Sequence, residues 1–270
     1  MGRAARFPWF GWLGLAVWVA AGSLLWVGVE IVRVFLTPIV WTGYILAVDG
    51  AVFSLRGRSL LTTDRGAFGW MAAVSIPLWL VFEAYNLRLE NWRYVGLPES
   101  GGVRLVGYLW SFATITPAVL ETAEWVMAVR GWSPGAKKRM GVGWSWAGAA
   151  MLVVPLIVPA EARAYLFGLV WLGFVPLLEP WNQRFGRGGV FDPKRAAALC
   201  ISGVVCGFVW EFWNYWAQAR WVYVFPIWQE YKLFEMPLPG YLGFPAFALE
   251  VFVMYGFVTW ILKLPYYEVR

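Results

Sequence analysis

From Phe7 to Val29 the chain carries no charged residue, and runs of the same kind recur along its length. Such a run cannot build the polar face that a helix on a soluble domain turns to water. About twenty apolar residues in a helix cover the roughly 30 Å hydrocarbon core of a bilayer. We therefore read helices at about 8–29, 34–48, 67–87, 105–129, 141–160, 164–178, 196–217 and 238–262. The fold class that follows is all-α, a polytopic membrane protein of about eight transmembrane helices. The first segment is longer than the apolar core of a secretory signal, roughly 7–15 residues, so it is read as a span.

Composition supports this. Charged residues make up 14% of the chain, little more than half the share of an average soluble domain, which argues against a soluble globular enzyme. There is no histidine. His-ligated haem, zinc and copper are therefore excluded, as are Ser-His and Cys-His catalytic pairs. Cys200 and Cys206 lie in one apolar run and read as small buried thiols. No cofactor is evident. An even number of spans puts both termini on one side. That side, with loops near 56–65, 130–140 and 184–195, holds 15 of the 22 Lys and Arg. The positive-inside rule makes it cytoplasmic, with Lys137, Lys138 and Arg139 as anchor. The net charge of +6 is thus mainly a topology signal, and nucleic-acid binding is not expected.

The two halves repeat. Glu30 matches Glu161, Trp41 matches Trp171, and Asp49 matches Glu179; Glu83 and Asn86 match Glu211 and Asn214. Trp92-x-Tyr94 matches Trp221-x-Tyr223, and Glu121 matches Glu250. Acids and Asn inside apolar helices rarely coincide by chance, so residues 1–135 and 136–270 read as two parallel four-helix repeats. The second helix of each repeat looks too short to span and contains Pro38 or Pro176. Paired short helices of this kind often mark a binding site. Alternatively, each starts earlier and lets Arg33 or Arg163 snorkel.

Candidate chemistry lies in the carboxylates. Glu83, Glu121, Glu211 and Glu250 fall inside helices, with no Lys or Arg beside them in the same spans. A charge at mid-bilayer costs about 2.5–3.5 kcal/mol on insertion scales, and such residues normally face the bundle interior. If pseudo-symmetry gathers the four, they cannot all be ionised. Either some carry protons, as general acids do, or a hard divalent cation is held by their oxygens. Asn86 and Asn214 share a helix face with Glu83 and Glu211 and would orient a substrate. Packing between helices is the alternative role. Asp49 and Glu179, at helix ends, read as solvated interfacial acids. The Pro/Gly-rich run before the last span, through Pro237, Pro239, Gly240 and Gly243, reads as an irregular segment dipping into the outer leaflet, a lid or an ordinary turn.

The segment Trp210-Glu211-x-x-Asn214, Arg220-Trp221-x-Tyr223, Phe234-Glu235-Met236-Pro237, Gly240-Tyr241-Leu242-Gly243-Phe244 and Leu249-Glu250 resembles a group of uncharacterised bacterial multi-pass membrane proteins. That resemblance implies the bacterial inner membrane. More distantly, the duplicated helix unit with membrane carboxylates is similar to the lycopene cyclase domain and carotenoid hydratase families, which implies acid-base chemistry on a polyene. The Pro-x-Glu-Glu motif of those cyclases is absent from this chain. Three functions stay open: acid-base chemistry on an isoprenoid or polyene lipid, a non-catalytic lipid-binding subunit packed against other membrane subunits, and a proton- or hard-cation-coupled transporter.

Overall fold

Every uncharged run folds as a helix in the computed structural model, which describes residues 5–136, 138–187 and 189–270. Lys137 and the first four residues, part of the charge argument above, lie outside the described residues. The first half contains α1 (Trp9–Val27), α2 (Glu30–Val34), α3 (Leu36–Arg56), α4 (Leu60–Thr63), α5 (Arg65–Leu89), the strand β1 (Trp92–Val95) and α6 (Gly101–Val129). The second contains α7 (Trp144–Ile157), α8 (Ala160–Arg163), α9 (Phe167–Arg184), α10 (Pro193–Trp216) and β2 (Arg220–Tyr223). A small hairpin follows, β3 (Lys232–Leu233) and β4 (Met236–Pro237), then a 3-10 turn (Leu238–Leu242) and α11 (Gly243–Ile261).

Six segments are long and apolar enough to cross a membrane: α1, α3, α5, α6, α10 and the 3-10 turn continued by α11. The architecture is that of a polytopic membrane protein. All eight expected helices form, but α7 has only 14 residues. In α9, 18 residues long, Pro176, Glu179, Pro180 and Arg184 break the apolar run.

Helix α3 corrects the expectation of a short second helix. It runs for 21 residues because it continues through Asp49 to Arg56. It does not begin earlier either, since Phe35 interrupts the chain between α2 and α3. Asp49 and Glu179 are both fully buried rather than solvated. The reason is local. Helix α4 folds over the end of α3, and the Leu61 N–H donates to Asp49 Oδ1 at 3.1 Å. Val190 N–H and the Gln183 side chain donate to Glu179 Oε1 at 3.0 and 2.8 Å. Each acid thus receives a backbone N–H from the following segment that water would otherwise serve.

Close helix crossings rest on glycine. A Cβ on Gly14 would stand 2.5 Å from the Gly43 carbonyl oxygen, so α1 and α3 meet backbone to backbone. In the second half, a Cβ on Gly148 would stand 2.7 Å from the Gly173 oxygen where α7 crosses α9. Small residues are the usual means of such approach in lipid, where dispersion contacts replace the hydrophobic drive. Helices α6 and α11 fill the centre, and every residue of α6 from Thr114 to Glu124 is buried. Helix α1 turns Trp9, Trp12, Val19, Trp26 and Val27 outward, an apolar face that suits hydrocarbon rather than water.

The all-α expectation missed the two ribbons. Strands β1 and β2 pair antiparallel with Trp92 opposite Tyr223 and Tyr94 opposite Trp221, so the ribbon joins the first half of the chain to the second. At the far end of the bundle, residues 262–270 fold back. Tyr267 N–H donates to the Tyr255 hydroxyl at 3.1 Å, and Arg270 N–H donates to Glu124 Oε2 at 2.6 Å. We call these the ribbon end and the tail end.

Candidate functional site

The ribbon is held by the Glu-x-x-Asn pattern of the two helices that lead into it. Helix α5 ends at Glu90, whose φ of 54° reverses the chain. Asn86 then binds the incoming strand: its Oδ1 accepts from Asn91 and Trp92 N–H at 2.8 and 3.1 Å, and its Nδ2 donates to the Trp92 carbonyl at 2.8 Å. Asn214 repeats this with Trp221, accepting from its N–H at 3.0 Å and donating to its carbonyl at 2.8 Å. Both amides are therefore committed to strand backbone, which orients the strands and what they carry.

One turn earlier on each helix sits the glutamate. Glu83 Oε1 accepts from the Tyr94 hydroxyl at 2.5 Å and from Trp79 Nε1 at 2.8 Å. Glu211 Oε1 accepts from the Tyr223 hydroxyl at 2.9 Å and from Trp221 Nε1 at 3.3 Å. Arg88 and Arg220, the basic residues nearest in sequence, turn elsewhere: Arg88 donates to the Leu156 carbonyl, and Arg220 pairs with Glu235. Neutral donors from the ribbon, with Trp79 of α5, thus take the place that a cation would hold. Burial, and then the adjacent Glu83, keeps the Tyr94 phenol well above the ordinary tyrosine range; burial and Glu211 do the same for Tyr223. Both phenols stay protonated donors at neutral pH.

Glu121 and Glu250 lie deeper and in different company. Both are buried. Glu121 lies beside Asp49, and neither of its carboxyl oxygens meets a hydrogen-bond donor among the described residues. Glu250 Oε1 accepts from Phe174 N–H of α9 at 2.9 Å. The structure therefore places Glu83 and Glu211 behind the ribbon, Glu121 against α3 and Glu250 against α9. Among the described residues, no three acid or thiol side chains gather in the manner of a metal centre.

What the ribbon end encloses is a cavity of about 410 Å³. Its walls come from both halves and are dominated by rings, among them Trp41, Trp79, Trp92, Trp171, Trp210 and Phe247. They pack edge to face, as between Trp41 and Trp210 at 5.5 Å and between Trp171 and Phe247 at 5.1 Å. Tyr94 and Tyr223 line it; none of the four predicted glutamates does. The Pro/Gly-rich run closes one side through Met236, Pro239 and Gly240, and Arg220 fixes that run by pairing with Glu235 at 3.4 Å. Cys206 and Ala118 are also on the lining, next to a polar cluster in which Cys206 Sγ contacts Thr122 and Tyr44 bonds to the same threonine.

Sequence reasoning missed the aromatic lining. One signal was present: Trp79 precedes Glu83 by four residues, a spacing that puts both on one helix face. The matched pair Trp41 and Trp171 was another, since both reach the cavity. Glu124, paired with Arg56 at the tail end, and the fully buried Arg195 were also missed. No family model, no curated protein and no solved structure matches the chain, so the geometry of this cavity carries the functional argument.

Proposed function

We propose that the protein binds an isoprenoid or polyene lipid in the aromatic cavity beneath the ribbon, within the bacterial inner membrane. The cavity is the observation that carries this reading. Ring walls of this size suit a flexible, unsaturated hydrocarbon, which gains dispersion contact and loses exposed apolar surface. The finer reading, acid-base chemistry on the bound chain, runs through Tyr94 and Tyr223. Each phenol points its proton at a glutamate. A phenol that gives its proton to a lipid double bond leaves a carbocation and is reprotonated from the carboxyl of Glu83 or Glu211; the carboxylate so formed takes a proton from the carbon beside the cation, and the C–H electron pair re-forms a double bond. The recurrence of the Glu-Asn-Tyr bonding in both halves, and of the glycine crossings, supports two copies of one unit related by a pseudo-two-fold.

Lipid extraction from protein purified in mild detergent, followed by mass spectrometry, tests the reading. Isoprenoids should be enriched over bulk phospholipid, and Trp210→Ala should remove them. Co-purified lipid in the membrane's own proportions would refute it. For the chemistry, expression of Glu211→Gln against the unaltered chain should change the cellular polyene profile.

One observation favours a second reading, a proton- or cation-coupled carrier: the Asp49–Glu121 pair, buried and without a basic partner. Proteoliposomes with no pH- or Ca²⁺-dependent flux would end it.

A further inference from the structure

The cavity wall is not uniformly apolar. Trp41, Asn91 and Trp92 all line it, and they are 3%, 4% and 6% exposed. Trp41 Nε1 and Asn91 Nδ2 have no acceptor among the described residues, and Trp92 Nε1, although turned toward Glu83, makes no hydrogen bond of ordinary geometry with it. Buried polar groups nearly always find partners, and one left unmet is a substantial penalty on the fold. Three on one cavity wall mark the face that would read a ligand. Trp18 and Trp213 also leave their N–H unmet, but they pack on one another away from the cavity.

The chemistry of the missing partner follows from what is already satisfied. Trp79 and Trp221 donate to Glu83 and Glu211, and Tyr94 and Tyr223 donate to the same two acids. Every unmet buried side-chain group on the lining is therefore a donor, and the ligand must bring acceptors. Charge narrows the class. Arg104, exposed at the start of α6, is the one basic residue on the described lining, while two glutamates stand directly behind the tyrosines. A phosphate or carboxylate head would sit among neutral donors in front of two acids. A prenyl alcohol would bring a donor for which the lining keeps no unmet buried side-chain acceptor.

We infer that the lipid taken into this cavity carries a neutral, planar head group with carbonyl oxygens, of the prenylated quinone or conjugated ketone class, read by the N–H groups of Trp41, Asn91 and Trp92. The inference rests on the isoprenoid reading and adds the head group to it. A conjugated ring stacks on indole faces. Carbonyls on opposite ring edges can reach donors supplied by different elements, Trp41 on α3 and the Asn91–Trp92 pair at the start of the ribbon.

The test is equilibrium binding to the full chain in phospholipid nanodiscs, with four probes: a short-tailed prenylated benzoquinone, an oxygen-free polyene of equal length, the matching prenyl alcohol and the prenyl phosphate. The quinone should bind at least about tenfold more tightly than the polyene. Trp41→Phe and Trp92→Phe keep a ring and remove the N–H. Each should weaken quinone binding about 2- to 10-fold more than it weakens polyene binding, which loses only ring area. Asn91→Ala provides the same comparison without touching the aromatic wall. Equal binding of quinone and polyene, indifferent to these variants, would overturn the head-group inference while leaving the isoprenoid reading intact. Tightest binding of the phosphate or the alcohol would overturn it in favour of that class. If none of the four binds, the isoprenoid reading fails, and this inference with it.

Discussion

The two ends of the bundle bury acids in opposite ways. At the ribbon end, Glu83 and Glu211 each receive a tyrosine hydroxyl from the matched strand position and an indole N–H, which comes from α5 in one half and from β2 in the other. At the tail end the halves diverge. Asp49 and Glu121 lean on one another, Glu124 pairs with Arg56, Glu179 caps a loop, and the fully buried Arg195 binds Glu268 at 2.8 Å. Neutral donors build a repeatable scaffold that needs no counter-ion. Charged pairs build local clamps that differ from half to half. The contrast places invariance of geometry beside the cavity, and places electrostatic risk where the folded-back tail is fixed.

If that contrast is right, the largest single loss comes from the tail end. Arg195→Met removes a donor from the Val269 and Gly189 carbonyls and from the partly exposed Glu268 and should lower stability by about 3–5 kcal/mol, read as thermal unfolding in detergent. It should exceed every ribbon-end variant, and a smaller loss than that of Asn214→Ala would break the comparison. Next come the strand anchors. Asn214→Ala leaves the Trp221 N–H and carbonyl without their partner and should cost about 1–3 kcal/mol. Asn86→Ala should cost more than Asn214→Ala, because Asn86 also holds the Asn91 N–H. Tyr94→Phe and Tyr223→Phe each leave their glutamate one indole donor, so each should lose only about 0.5–1.5 kcal/mol. A difference between the two much above that range would show that the ribbon end is less symmetric than its bonds. The smallest effect is expected at Glu121→Gln. The new amide can donate to Asp49, which offsets its own unmet N–H, and the stability change should stay within about 1 kcal/mol. A loss of several times that size would show that an ionised Glu121 is needed there.

Much of the helical layout was legible in the sequence, because lipid imposes uncharged runs that soluble folds do not need. The bounds erred where an acid ended a run. Asp49 reads as the edge of the membrane when only its own segment is considered, yet α4, eleven residues on, covers it and supplies the N–H that makes burial affordable. The ribbon was illegible for a different reason. Trp92-x-Tyr94 has the alternation of a strand, but four residues carry too little pattern, and the pairing partner lies in the other half of the chain. The glutamates drew attention because acids are rare in such helices. Their partners did not, because tryptophan is everywhere in this chain. The rings that form the cavity could be sorted from those that face lipid only by three-dimensional contact.

The interhalf ribbon also has a meaning for how the chain is made. Strand β1 emerges in the first half of synthesis with its hydrogen-bonding edge bare, and its partner β2 is translated only after α6, α7, α9 and α10 have been made. Until then, that edge is open to any extended segment nearby. Completion of the ribbon is therefore a late step in biogenesis, and only the wall formed by the Pro/Gly-rich run and α11 follows it.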